Sequence, residues 1–218
     1  VVSGISYLSY LLKRYVFHES GTLVSGIIGG LYSSTATISV LARKSRKASE
    51  QEATEYVAAM LLAVSMMFLR FMILILIFSR EIFLSIYPYL LIMSVVSAIV
   101  GWFVHSRQKL PKDTSVESEE DDSSNPLEFK VALIFAVLFV VFTVLTHYTL
   151  VYAGTSGLNL LSFVSGFSDI TPFILNLLQN TGSVAVLIIT ACSMQAIVSN
   201  ILVNMFYALF FAGKRSKL

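Results

Sequence analysis

Residues Gly21–Ser45 read GTLVSGIIGGLYSSTATISVLARKS. The stretch opens like a membrane span and closes on basic residues. Its middle carries Gly29, Gly30, Ser33, Ser34, Thr35 and Thr37. Paired glycines and a patch of hydroxyls therefore occupy what would be the apolar centre of a bilayer span. Whether this stretch crosses the membrane or turns back inside it decides the fold.

The rest of the chain makes a bilayer the right frame. Of its 218 residues, 56% are hydrophobic and only 13% charged, and mean hydropathy is +0.79. A soluble domain carries about 25% charged residues. The composition predicts an all-α integral membrane protein with lipid around it. A formal net charge of +2 gives no reason to expect nucleic acid as a partner. The single cysteine, Cys192, lies in an apolar run, so neither a disulfide framework nor a thiolate metal cluster is expected. His18, His105 and His147 stand near span ends and read as interfacial residues rather than metal ligands. The chain starts at Val1 inside a hydrophobic segment, without a signal peptide, and reads as the back part of a longer protein with a membrane domain before it.

A span needs about 20 apolar residues. Five segments meet or approach this continuously: Val1–Phe17, Thr54–Ser79, Ile82–Val104, Phe129–Ala153 and Ser183–Ala212. Two more, Gly21–Ala42 and Gly157–Leu178, are apolar but interrupted. The organisation expected is a first membrane repeat plus an extra span over 1–105, a hydrophilic acidic loop over 106–127, and a second membrane repeat over 128–218. The loop holds DTSVESEEDDSSNP, whose spacing matches no calcium loop and suits a solvated linker.

The interrupted segments resemble each other at a shift of 136 residues. Gly30 then falls on Gly166, Thr35 on Thr171, and Leu41 on Leu177. Each has an apolar half ending at glycine, a polar break, and a second apolar half starting at a good N-cap. Ser33 or Ser34 supplies the first cap and Asp169 the second, with Pro172 in the first turn that follows. Gly29, Gly30 and Gly166 are the expected hinges. The following spans align at a shift of 134, VSMMFLRFM from Val64 over VSNILVNMF from Val198, which sets Arg70 over Asn204. Three elements in the same order predict an internal repeat.

Charge placement separates two topologies. Seven full crossings divide the Lys and Arg outside the spans six against eight. If both interrupted segments are re-entrant, thirteen fall on one side and only Arg80 on the other. Flanking basic residues concentrate at the cytoplasmic face. The expected architecture is thus about five full transmembrane helices plus two broken, re-entrant segments in an inverted repeat. Seven spanning helices are the alternative. Segment 43–47, the 106–127 loop and the C-terminus would be cytoplasmic.

Two charges lie inside apolar segments, Asp169 and Arg70. A buried charge needs a partner or a wet cavity. Asp169, with hydroxyls and carbonyls around it, suits a hard cation or a proton, and it equally suits a plain N-cap. Arg70 fits an anion contact, a positive barrier, or an ion pair with Asp169. Asn200 and Asn204 share a helix face and can bond across helices. No H-E-x-x-H, G-x-S-x-G or P-loop pattern occurs, so no enzyme is expected. The expected function is a channel or secondary transporter for a small ion, foremost a cation such as Mg²⁺. Its pathway would use Asp169, Ser33, Ser34, Thr35, Thr37, Thr171, Asn200, Asn204 and Arg70. Asp169 is the one candidate metal ligand, and no cofactor beyond a bound Mg²⁺ or other cation is expected. One carboxylate is thin for a divalent ion, which points to a homodimer among membrane lipids. The alternatives are a non-transporting membrane protein that regulates a partner, and an anion pathway built on Arg70.

GLYSSTATISVLARKSRK, MFLRFMILI, NPLEFKVALIFAVLF and SGFSDI together resemble the C-terminal membrane domain of unknown function found in MgtC/SapB-family proteins. The similarity runs from Ser3 to about Lys214, with Ser-Ser-Thr-Ala-Thr as its most specific part. The chain departs from that pattern at Leu69, where proline is common, and at Asn204, where lysine is usual. The resemblance implies a bacterial or archaeal cytoplasmic-membrane protein. It implies no substrate.

Overall fold

The fold is given by a computed structural model, which describes residues 21–46, 48–107, 126–180 and 184–212. The expected span Val1–Phe17, most of the acidic loop, and the basic residues Lys13, Arg14, Lys47, Lys109, Lys112, Lys214, Arg215 and Lys217 lie outside the described residues.

The described residues form helices and no strand. In chain order they are α1 (Thr22–Ser45), α2 (Glu50–Phe78), α3 (Arg80–Ser106), α4 (Pro126–Ser165), α5 (Ile170–Gln179) and α6 (Val186–Phe211). Five of them are long and apolar enough to cross a bilayer, and α5 is a shorter apolar helix. The protein is an all-helical, multi-pass membrane protein.

Local chemistry sets the ends. Ser49 and Glu52 form a reciprocal capping box before α2: the Ser49 amide and hydroxyl both donate to Glu52 Oε2 at 2.8 Å, and the Glu52 amide donates to Ser49 Oγ at 3.4 Å. Ser79 separates α2 from α3, and its Oγ accepts from the Ile82 amide at 3.4 Å. Arg43 and Lys44 occupy the last turn of α1, where the helix dipole favours positive charge.

By its contacts the chain divides into two units. Among the described residues, one holds the segments from 21 to 74, from 87 to 107 and from 204 to 212, and the other those from 75 to 86 and from 126 to 203. In lipid, burying apolar side chains gives helices little reason to associate, because the tails are as apolar as leucine. Close approach and hydrogen bonds decide instead. The first unit uses both. Along α2 and α3, Gly101 lies against Ala58, Ser97 Oγ donates to the Leu61 carbonyl at 2.7 Å, and Ser65 and Ser94 bond each other's hydroxyl and carbonyl groups. Rising numbers on one helix meet falling numbers on the other, so the pair is antiparallel.

α1 is not straight. Ser33 has extended backbone, φ −157° and ψ 105°. Gly29, on one side of it, lies against the Thr37 side chain on the other. In an unbroken helix residues eight apart are separated by roughly 12 Å along the axis. The ends agree with a fold-back. Leu23, near the start, and Leu41 and Ala42, near the finish, pack into one cluster with Ala59, Met60 and Ala63 of α2. A straight helix would hold Leu23 and Leu41 about 27 Å apart.

The second unit also holds a broken helix. α4 breaks at Gly154, whose positive φ of 58° is open to glycine but costly for other residues. Gly157 then lies against Thr149, again eight residues away across the break. α5 packs near the middle of the preceding arm, with Phe142 and Phe173 rings 5.5 Å apart and Asn176 Nδ2 donating to Thr143 Oγ1 at 2.8 Å.

Candidate functional site

A break in a helix frees carbonyls on one side and amides on the other, and each needs a partner inside a membrane. At Ser33 both are provided. Ser33 Oγ accepts from the Ala36 amide at 3.3 Å, an N-cap for residues 34–45. On the other side, Arg70 Nη1 donates to the Tyr32 carbonyl at 2.7 Å. Arg70 is only 7% exposed. Its charge therefore sits on the negative end of the first arm, where the helix dipole favours it. Ser34 is buried, while Ser33, Thr35 and Thr37 are half-buried. Ser39 Oγ donates to the Thr35 carbonyl at 2.8 Å.

The glycines expected as hinges in this segment have a different task. Gly29 and Gly30 lie inside the first arm, and the turn is at Ser33. A side chain on Gly30 would run into the backbone of Ala63, and one on Gly26 into that of Ala59. These glycines let the arm touch α2. Because 26 meets 59 and 30 meets 63, the first arm runs parallel to α2.

The polar break of the second interrupted segment lies between residues 165 and 170, beyond the kink at Gly154. Asp169 is the N-cap of α5, its Oδ1 accepting from the Thr171 amide at 2.9 Å. The carboxylate is exposed, whereas Thr171 and Pro172 are buried. Pro172 is the third residue of the helix, where a missing amide leaves no intrahelical bond unmade. The freed carbonyls are taken by α6. Asn200 Nδ2 donates to Gly166 O at 3.1 Å and lies 3.5 Å from Ser168 O, and Ser199 Oγ donates to Phe163 O at 2.7 Å. Gly166 lies against Ser199 with no room for a side chain.

Two of the glycine contacts share one spacing. Gly30 meets Ala63 and Gly166 meets Ser199, each pair 33 residues apart. A shift of 136 sets Ala63 over Ser199 and so carries both glycine contacts, whereas the shift of 134 read from similar letters sets Ala63 over Ile197. Arg70 and Asn200 each donate to a carbonyl at a break, but at a shift of 136 Arg70 falls on Phe206 and Asn200 on Val64, so the two donors do not hold matching positions. Asn204 is buried and belongs to the other unit.

Several polar contacts of the second unit have no place in the sequence reading. Cys192 Sγ donates to Asn159 Oδ1 at 3.4 Å. Asn176 is held on Thr143, and its Oδ1 and the neighbouring Thr146 Oγ1 are buried with no hydrogen-bond partner among the described residues. Polar residues isolated in apolar helices were the available signal for Asn159 and Asn176. The run Gly154-Thr155-Ser156-Gly157 was the signal for the α4 break. Among the described residues no group of three or more His, Cys, Asp or Glu is placed to hold a metal ion.

Comparison with known proteins follows this geometry. The chain is 26% identical over 205 residues to an uncharacterized protein of Aquifex aeolicus (strain VF5), covering 93% of this chain and 87% of that protein. No solved structure matches. The resemblance to the membrane domain of MgtC/SapB-family proteins finds no support in these comparisons. The model of the family described as "Domain of unknown function (DUF4010)" matches residues 1–212, and the chain belongs to that family.

Proposed function

We propose that the protein is a membrane channel or secondary transporter for a small ion, built on two re-entrant hairpins of an inverted repeat. The observation that carries this reading is the depth of the two breaks. Gly30 packs on Ala63, near the middle of α2, and Gly166 on Ser199, near the middle of α6. Irregular backbone at that depth is tolerated only where protein buries it or water reaches it. Broken helices meeting this condition are a recurrent plan for transport sites.

Re-entrance has further support. Arg43, at the end of α1, lies with its guanidinium 4.6 Å from the centre of the Phe211 ring, at the end of α6. Seven full crossings would put those two ends on opposite faces, about 30 Å apart. With re-entrant hairpins both ends are cytoplasmic, in keeping with thirteen of fourteen flanking basic residues on that face. Three crossings along the chain lie between the hairpins, so they open to opposite faces, which is the inverted relation.

Asp169 favours a cation or proton as cargo. It is an exposed carboxylate at a break, with Ser168 and Thr171 close to it in sequence as further oxygen donors suited to a hard ion. A divalent ion such as Mg²⁺ would call for a second carboxylate, which a homodimer supplies. Arg70, held on the Tyr32 carbonyl, acts as a fixed positive barrier. The site belongs to a bacterial or archaeal cytoplasmic membrane, and no enzyme chemistry is assigned to it.

The test is flux in liposomes for H⁺, Na⁺, K⁺, Mg²⁺ and Cl⁻, with wild type, Asp169→Asn and Arg70→Met. Cation flux that falls at least tenfold in Asp169→Asn supports the reading. Chloride flux that depends on Arg70 replaces it with an anion pathway. No flux of any ion from folded protein moves the assignment to a regulatory membrane partner.

A further inference from the structure

We propose that the end of α1 and the end of α6 form a binding site for one anionic phospholipid at the membrane surface. Arg43, Lys44 and Arg46 are exposed and make no ion pair among the described residues. Arg43 is not a free arm. Its guanidinium lies over the Phe211 ring at 4.6 Å, so one face of a planar cation is pinned and its edge donors remain available. A planar guanidinium held this way suits the oxygens of a phosphate.

What lies beneath the charges separates a lipid from a free anion. Met205, Phe206, Leu209 and Phe210 form an exposed apolar strip on α6, and Phe206 and Phe210 stack at 5.8 Å. The strip ends one residue short of Phe211, where Arg43 sits. A basic cluster at the head of an apolar strip matches a molecule with a phosphate at one end and an acyl chain below it. Each basic residue near an anionic lipid surface contributes attraction that salt screens. The site needs residues 43–46 and the end of α6 at a membrane surface, but it does not need the protein to transport anything.

The full chain is purified in neutral detergent and titrated with phosphatidylglycerol, phosphatidylcholine or inorganic phosphate, with bound lipid read by native mass spectrometry. Thermal stability is followed in parallel. Wild type is expected to retain phosphatidylglycerol in preference to phosphatidylcholine. The triple variant Arg43→Gln/Lys44→Gln/Arg46→Gln should lose about tenfold or more of that affinity. Phe206→Ala/Phe210→Ala should weaken lipid retention without creating a preference for phosphate. If the triple variant fails to fold, Lys44→Gln/Arg46→Gln is read instead, since neither residue packs on Phe211. Equal retention of both lipids overturns the proposal, as does unchanged affinity in the basic variants. Stabilisation by inorganic phosphate equal to that by the lipid makes this a plain anion site and overturns it too. Lipid binding that appears only after Glu117–Asp122 is neutralised would show the acidic loop of the same chain as the occupant, with the same consequence.

Discussion

Replacing Arg70 by methionine should loosen α1 around its break at Ser33 and leave the break before α5 alone. The Arg70 Nη1 bond to the Tyr32 carbonyl is 2.7 Å long, the length of a charge-assisted hydrogen bond. Such bonds contribute about 1.5–3 kcal/mol. Methionine keeps most of the volume but offers no donor, so the end of the first arm loses that contribution. Removing a charge from the membrane interior returns a few kcal/mol, so global stability is a poor readout. Local opening is a direct one. Amide exchange in residues 22–45 should accelerate roughly 10- to 150-fold, which is the same energy expressed as an equilibrium constant. Residues 155–180, capped by Asn200 rather than by Arg70, should stay within about twofold. Arg70→Lys, which keeps the charge and one flexible donor, should fall between. The assay is hydrogen–deuterium exchange by mass spectrometry on protein in lipid nanodiscs. The reasoning fails if residues 22–45 keep wild-type protection in Arg70→Met, or if residues 155–180 loosen equally.

Other outcomes follow from the same contacts. Gly30→Ala places a methyl group against the Ala63 backbone, which cannot swing aside, and should cost about 1–3 kcal/mol of unfolding free energy in a denaturing-detergent titration. Gly29→Ala meets only the Thr37 side chain, so its smaller loss should be largely recovered in Gly29→Ala/Thr37→Ala. Ser49→Ala removes one half of the capping box ahead of α2 and should lower stability by about 1 kcal/mol in that titration. Ser94→Ala removes the hydroxyl that bonds Ser65 Oγ and the Ser65 carbonyl, while Ser65 keeps its bond to the residue-94 carbonyl, and should cost about 0.6 kcal/mol, measurable as a small shift in the same midpoint.

Composition and apolar run length were enough for the class of protein, because lipid tolerates nothing else in 20-residue stretches. The spans read as Thr54–Ser79, Ile82–Val104 and Ser183–Ala212 match α2, α3 and α6 to within a few residues at each end. Ser33 and Asp169 were legible as caps, since a short polar side chain ahead of an apolar run has few other local uses. The α4 break falls one residue after the expected end of a span at Ala153. What the letters could not supply was partnership. Gly29 and Gly30 look like a hinge in one dimension, yet they are contact points, because what stands opposite them is the Thr37 side chain or the Ala63 backbone. Arg70 looked like an isolated charge until the chain folded back and set the Tyr32 carbonyl in front of it. The similar letters around Arg70 and Asn204 said nothing of Asn200, whose side-chain amide reaches the Gly166 carbonyl only in the folded chain. Sequence determines which backbone groups a polar break will leave unsatisfied. Only the tertiary fold decides which distant side chain satisfies them, because that depends on the register at which two helices come close enough to touch.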